Sequence, residues 1–530
     1  MNTLDPVLFT RGKGLTRAGH SEPTQSLTLG EITLSCEPGA QALWVHKPFM
    51  STIGLFARAL DPDRALLSAD LRALVSAQDT IDPVGAYTLL QYAAPVAPWT
   101  PFPQIRSFHS GLSTLIDSST KDLKRTVHAE SWVRPDPASA NSPDIDQQAT
   151  LLESALDLAI TDALARAGSR RIISMFSGGA DSSLIAERLS RLAPDRTELF
   201  HFSEGDDHPE TIAAQAIANH LKLPIHIVRG SDAGLDPLLR AGELYPFPFG
   251  DHSAIPTRAV VEAALAFGLF GRAAQWDKAA RMGPLVHAAA ELAFEATSSW
   301  SREWRAERFL RLLKRLRAVG PIAASVGQNA VHGSLYLAPL ETRRVVSREI
   351  DAWMSEALDT TTREVLFAGI DLAHVCTAVF GQKTRPVVDH AGAHIEYPFM
   401  APSVISLALR AAHAWPGRDK PKAPIYHSLA RNLPRELVYR PKVGFVIPMT
   451  DIFASREFLA TLDDAISAGH PYTPLLHTAK IRTLRSMLGA RRKLPVQTER
   501  FVWMLAFLDR WTQSTLSADG LARTRATLNA

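Results

Sequence analysis

Cysteine is almost missing from this chain. Cys36 and Cys376 are the only two in 530 residues, so neither a disulfide framework nor a Cys-rich zinc site organises the fold. That usage fits a reducing cytoplasm, which is the expected location. Long apolar runs are missing too. The longest, Ala263–Gly271, falls far short of the ~20 residues a membrane span needs. The first residues, Met1 to Gly14, carry Asp5 and no apolar core of signal-peptide length. No membrane partner is expected. Charge of one sign is also lacking: 57 Lys and Arg stand against 54 Asp and Glu, a net of +3. That overall balance argues neither for nor against a nucleic-acid partner. Glycine and proline, 30 and 35 residues, take an ordinary share, which excludes collagen-like and disordered classes.

What is present is enough chain for two or three domains. Residues 1–132 read as a domain of short strands, with Glu31–Cys36, Ala42–His46 and Ala86–Leu90 as examples. An all-β or α+β fold is expected there. Residues 133–146, with three prolines in Arg134–Asp146, read as a linker. Residues 147–530 form the second unit. From Gln147 to Ala167 the apolar residues Leu152, Leu156, Ile160 and Leu164 make one helical stripe, and Gly168 sits where a C-cap belongs. Strand and helix then alternate. The predicted order is strand Arg171–Phe176, helix Ser182–Ala193, strand Glu198–Ser203, helix Glu210–Leu221 and strand Pro224–Val228. Such alternation predicts an α/β unit with a parallel sheet. Beyond residue 258 the pattern is mostly helical. Arg302–Arg317 is a basic amphipathic helix that fits a solvated helix face better than a binding element.

The chemistry concentrates in Met175–Leu184, MFSGGADSSL. A strand runs into Ser177-Gly178-Gly179-Ala180-Asp181-Ser182-Ser183, and a helix follows. Two glycines permit a tight turn and close approach of a ligand. Hydroxyls, loop amides and the helix N-terminus make an anion pocket suited to phosphate. Asp181 makes sense there if a cation accompanies the phosphates, because Mg²⁺ typically binds one or two carboxylates together with phosphate oxygens. The lysine of a Walker loop is missing.

This loop resembles the pyrophosphatase loop of the N-type ATP pyrophosphatases, and within that group the asparagine synthetase family. Further blocks carry the likeness: Phe202–Leu221, Phe247–Thr257 (FPFGDHSAIPT), Tyr397-Pro398-Phe399-Met400 and Asn432–Pro448 (NLPRELVYRPKVGFVIP). Ala65–Ser107 is similar to the family's glutaminase-like domain. The resemblance implies an Ntn-type α+β domain over 1–132, then a PP-loop ATP pyrophosphatase domain with a parallel sheet and a helical C-terminal part. It implies that ATP and Mg²⁺ are used. Ser177, Gly178, Gly179, Asp181, Ser182, Ser183 and Phe202 would hold the nucleotide, Phe202 near the adenine. Asp181 and Asp277 would hold the metal, although Asp277 also reads as an ordinary surface aspartate. Lys442 would stabilise the charge that grows on the acyl-adenylate and pyrophosphate.

Three departures shape the expected activity. Family members that hydrolyse glutamine begin Met-Cys, whereas the second residue here is Asn2, and an amide cannot act as a thiolate nucleophile. The family's acidic block around Asp277 is eroded, with Ala274 in place of an acid. His394 stands where a glutamate is common and Ala401 replaces an aspartate. His394 reads either as a base for an attacking amine or as a structural histidine. The pattern resembles the lasso peptide cyclase branch, which adenylates an Asp or Glu side chain of a precursor peptide and closes a macrolactam on the N-terminal amine. That resemblance implies a leader-binding protein and a leader peptidase as partners. A small-molecule amide ligase of the asparagine or β-lactam type and a non-catalytic nucleotide-binding module remain open. A tRNA-modifying PP-loop enzyme is disfavoured, because paired cysteines and a charge excess are missing. No nucleic-acid partner is expected.

Overall fold

The computed structural model describes residues 6–17, 22–37, 39, 41–116, 124–127, 144–203, 205, 207–229, 236–267, 336–337, 340–358, 369, 371–390, 392–414, 422–440, 449–494 and 496–517. Asn2, most of the 133–146 linker, Asp277, the Arg302–Arg317 helix and Lys442 lie outside the described residues.

The N-terminal unit stacks two antiparallel sheets of five strands each. Its strands are β1 (Val7–Thr10), β2 (Gly14–Arg17), β3 (Ser26–Leu29), β4 (Ile32–Cys36), β5 (Leu43–Lys47), β6 (Phe56–Asp61), β7 (Arg64–Ser68), β8 (Ile105–Ser107), β9 (Leu112–Ile116) and β10 (Lys124–Val127). One sheet runs β2-β1-β7-β6-β8 and the other β10-β9-β5-β4-β3. Alternation along the strands decides which side chains meet between the sheets. Val7, Phe9 and Leu67 of the first face Leu34, Leu43 and Val45 of the second in one buried cluster. Each such side chain contributes roughly 1.5–3 kcal/mol by leaving water.

The first sheet's other face opens onto a larger apolar cluster, to which its Phe56 and Leu66 and the helix α1 (Pro83–Tyr92) both contribute. This helix occupies the stretch Ala86–Leu90 that the sequence reading took for a strand. Asp82 accepts the Val84 N–H at 2.9 Å and Pro83 opens the first turn, a helix start signal. Residues Gly85 to Tyr92 are all buried. A helix enclosed on every side has no polar stripe, so its period was invisible.

The second unit begins with α2 (Ile145–Ala167). Asp144 and Gln147 form a reciprocal capping box, so the last linker residues belong to the helix start. Gly168 ends it with a positive φ of 60°. A three-stranded parallel sheet follows, in the order β11 (Ile172–Met175), β12 (Thr197–Ser203), β13 (Ile225–Arg229). Helices α3 (Ala180–Leu192) and α4 (Pro209–Leu221) make its connections. The described remainder is mainly helical: α5 (Ala254–Phe267), α6 (Leu340–Leu358), a π-helical stretch Asp371–Gly381, α7 (Gln382–His390), α8 (Pro402–Ala414), α9 (Ala423–Ala430) and α10 (Val496–Leu516), with further helices at Arg456–Ala465 and Thr478–Gly489 and shorter turns. Among the described residues no helix is long and apolar enough to cross a membrane.

The two units share one hydrophobic cluster. Leu89 and Phe102 from the first and Phe507 and Trp511 from α10 belong to it. Polar bonds reinforce the joint. Leu71 N–H donates to Pro246 O at 3.0 Å, Gly250 N–H to Ala93 O at 2.7 Å, and Trp353 Nε1 to Ser110 O at 2.8 Å.

Gly85 shows how tightly α1 is seated. A Cβ placed there would lie 1.7 Å from Thr100 O. Backbone must move to admit it. Gly85→Ala is therefore expected to destabilise the protein by about 1–3 kcal/mol, read as a lower thermal midpoint. An unchanged midpoint would contradict this packing.

Candidate functional site

The loop Ser177–Gly179 leaves the carboxyl end of β11, whose residues Ile172 to Met175 are all buried. Sheet pairing fixes where it starts: Phe176 N–H donates to Phe200 O at 2.7 Å. In a parallel sheet this is the end at which ligands bind. Gly178 has φ +68°, a conformation that disfavours any side chain. A Cβ there would also come within 3.2 Å of Ala214 in α4. Two demands thus fall on one residue, and glycine meets both.

Helix α3 starts with no side-chain cap on its first turn. Its first internal bond runs from Ser183 N–H to Gly179 O at 2.9 Å. The amides of Ala180, Asp181 and Ser182 precede that bond, so helix geometry gives them no partner within the helix. The loop organises itself through its serines. Ser177 and Ser182 hydroxyls lie 3.0 Å apart, Ser182 Oγ donates to Gly179 O at 3.1 Å, and Gly179 N–H donates to Ser177 Oγ at 3.2 Å. Ser183 Oγ is buried with no hydrogen-bond partner among the described residues. A phosphate oxygen would satisfy such a group.

Asp181 is buried in the first turn of α3. Lys422, the residue before α9, donates to its Oδ2 at 2.6 Å. Side-chain exposures of 5% and 11% make this a desolvated ion pair. One hard carboxylate beside phosphate-binding amides is a donor set that suits Mg²⁺ riding with a polyphosphate. Lys422 now compensates the charge that such a cation would take. Among the described residues no three His, Cys, Asp or Glu side chains gather as a metal cage.

Arg440 closes the back of the loop. Its guanidinium donates to Gly178 O at 2.6 Å and to Glu210 Oε2, in the first turn of α4, at 2.8 Å. Arg440 is the last described residue before the segment that holds Lys442. Behind the loop, His201 Nδ1 donates to Phe176 O at 2.9 Å, and its Nε2 lies 3.3 Å from Thr211 Oγ1. Burial pushes the His201 pKa below the usual histidine value, so this ring is a neutral brace.

The described structure thus brings Ser177, Gly178, Gly179, Asp181, Ser182 and Ser183 together in one turn. Phe202 differs. Its ring is packed in the hydrophobic core of β12, so only its backbone is on offer to a ligand. His394 lies elsewhere. Its Nε2 is 2.9 Å from Glu396 Oε1, and Arg166 Nε donates to the same oxygen at 2.8 Å. Burial raises the Glu396 pKa, but the hydrogen bonds from His394 and Arg166 outweigh it and hold the carboxyl at about 2. Arg166 ends α2, where Arg170 and Arg196 also gather around Gly168. That is the N-terminal end of β11, and the loop leaves the other end, about 13 Å along the strand at ~3.3 Å per residue. His394 thus belongs to an exposed ion cluster with Glu396 and Arg166.

Residues 151–269 match the family model for asparagine synthase. The matched stretch spans most of α2, the parallel sheet, the loop, and helices α3 to α5. No curated protein is similar enough to the chain to be matched. The domain supports an ATP-dependent ligase activity in general terms. Its neighbours Lys422 and Arg440 lie outside the matched residues. Sequence reading missed both. Lys422 sits among Lys420, Pro421 and Ala423 with no motif to distinguish it, and Arg440 was read only as part of a block.

A buried pair broken on one side leaves an uncompensated charge. Lys422→Met is expected to cost about 3 kcal/mol in the ligand-free protein, measured by denaturant unfolding. Combining it with Asp181→Asn should recover part of that loss. Strictly additive single effects would contradict direct coupling.

Proposed function

We propose that this chain is an ATP-dependent ligase that adenylates the side-chain carboxylate of an Asp or Glu in a precursor peptide. The peptide's N-terminal amine then closes a macrolactam. The single observation that carries the adenylation step is the strand–SGGADSS–helix turn, with buried Asp181, inside the asparagine synthase domain. Asn2 in place of a cysteine supports an amine delivered by the substrate rather than by glutamine hydrolysis. The peptide-cyclase reading rests on this departure and on the eroded block at Ala274 to Asp277.

The carboxylate oxygen forms a bond to the α-phosphorus of ATP, and the bond to the β-phosphate bridging oxygen breaks. Pyrophosphate leaves. Loop amides, Ser177, Ser182 and Ser183 hold the departing charge. Mg²⁺ bound beside Asp181, with Asp277 as a further ligand, would neutralise the polyphosphate. The amine nitrogen then attacks the acyl carbon, AMP leaves with the bonding electrons, and solvent takes the amine proton. Lys442 offsets the charge on the leaving phosphate. The chain's own contribution to ring closure is positioning, which can supply up to ~7–11 kcal/mol. A leader-binding protein and a leader peptidase would deliver the trimmed peptide.

Three measurements test this. Asp181→Ala should lower peptide-dependent pyrophosphate release by about 100-fold or more, while His394→Ala should stay within about twofold of the parent, in keeping with the surface position of that residue. Unchanged release in Asp181→Ala would overturn the site. Incubation with ATP, Mg²⁺ and a leaderless peptide that carries a free N-terminus and an internal Asp or Glu should give a product lighter by one water. Asparagine formed from ATP, aspartate and ammonia would instead place the chain among small-molecule ligases.

A further inference from the structure

A cavity of about 50 Å³, partly open to solvent, lies where the N-terminal sheets meet the helical part. None of the phosphate-loop residues line it. Lys47, Thr52 and Ser107 reach it from one side, and His374, Thr377 and Gln382 from the other.

Two of these groups are left short of partners. Lys47 ends β5 and is only 9% exposed. Its ammonium makes one hydrogen bond among the described residues, to Phe108 O at 3.2 Å. An ammonium carries three donors. Burial draws the Lys47 pKa down to about 8, against the opposing pull of Glu31. Glu31 itself is engaged by Ser51 at 2.9 Å and Arg385 at 3.1 Å. The second group is Gln382. Its Nε2 donates to Thr52 O at 2.8 Å, which fixes the orientation of the amide. Its Oε1 is then buried with no hydrogen-bond partner among the described residues. His374 supplies no charge, because burial lowers its pKa to about 4 and its Nε2 is bonded to Tyr92 O at 2.9 Å.

A buried cation with spare donors and a buried amide oxygen with no donor thus share one enclosure. We propose that this cavity binds a small carboxylate that also carries an N–H donor, the pattern of a free α-amino acid, with the carboxylate on the Lys47 ammonium and the N–H on Gln382 Oε1. Ser107 and Thr377 hydroxyls donate to Trp99 O and Ala373 O, and Thr52 Oγ1 accepts from Arg385, so of these three only Thr52 keeps a proton to offer the carboxylate. A ligand there bridges the two units of the chain. The site stands apart from the nucleotide loop, so its fate and that of the adenylation reading are separate.

Calorimetric titration of the full chain tests it, with glycine, sodium acetate, methylamine hydrochloride and sodium chloride at one ionic strength. Glycine is expected to bind saturably and acetate more weakly, with no binding of methylamine or chloride. Lys47→Met should weaken glycine binding at least tenfold. Gln382→Leu should keep acetate binding and lose the preference for glycine. Should Lys47→Met fail to fold, crystals of the parent grown with glycine decide: the ligand is expected between Lys47 and Gln382. An empty cavity in those crystals, no saturable binding of either carboxylate, equal binding in Lys47→Met, or equal binding of chloride would each overturn the proposal.

Discussion

The Lys422–Asp181 ion pair ties together two points of the chain 241 residues apart, and the candidate site depends on it. Lys422 offsets the charge of the buried carboxylate in the first turn of α3, and Asp181 is the carboxylate that the loop itself carries. Arg440 adds a second long-range tie, holding Gly178 O from behind. The loop's shape is thus local, set by glycine and serine, while its electrostatics are imported from the helical part.

The N-terminal unit is welded to the rest rather than tethered. A shared apolar cluster and main-chain bonds such as Gly250 to Ala93 cross the joint. The polar cavity at that joint, with Lys47 and Gln382 in its walls, gives the interface a chemistry of its own.

Much of the fold was legible because its signals are local. The stripe Leu152, Leu156, Ile160 and Leu164 marked α2, and the β11–α3 boundary followed from a β-rich run meeting Ser177-Gly178-Gly179. Strand β5 differs from its reading by one residue at each end. Helix α1 failed because burial on all faces erased its period, although Asp82-Pro83 carried the start signal. At the site, the turn was visible and its partners were not. Lys422 and Arg440 meet the loop only through tertiary packing, which no spacing in the sequence encodes. A histidine in a family block says nothing about its partners, and the tie of His394 to Glu396 is visible only in the structure.

Which phosphate bond of ATP breaks is the most direct question to put to the loop. Phosphorus NMR of the reaction with the full chain, Mg²⁺ and a competent carboxylate substrate reads the products at once. AMP and pyrophosphate are expected, in equal amounts. ADP and inorganic phosphate would contradict a carboxylate adenylated at this turn.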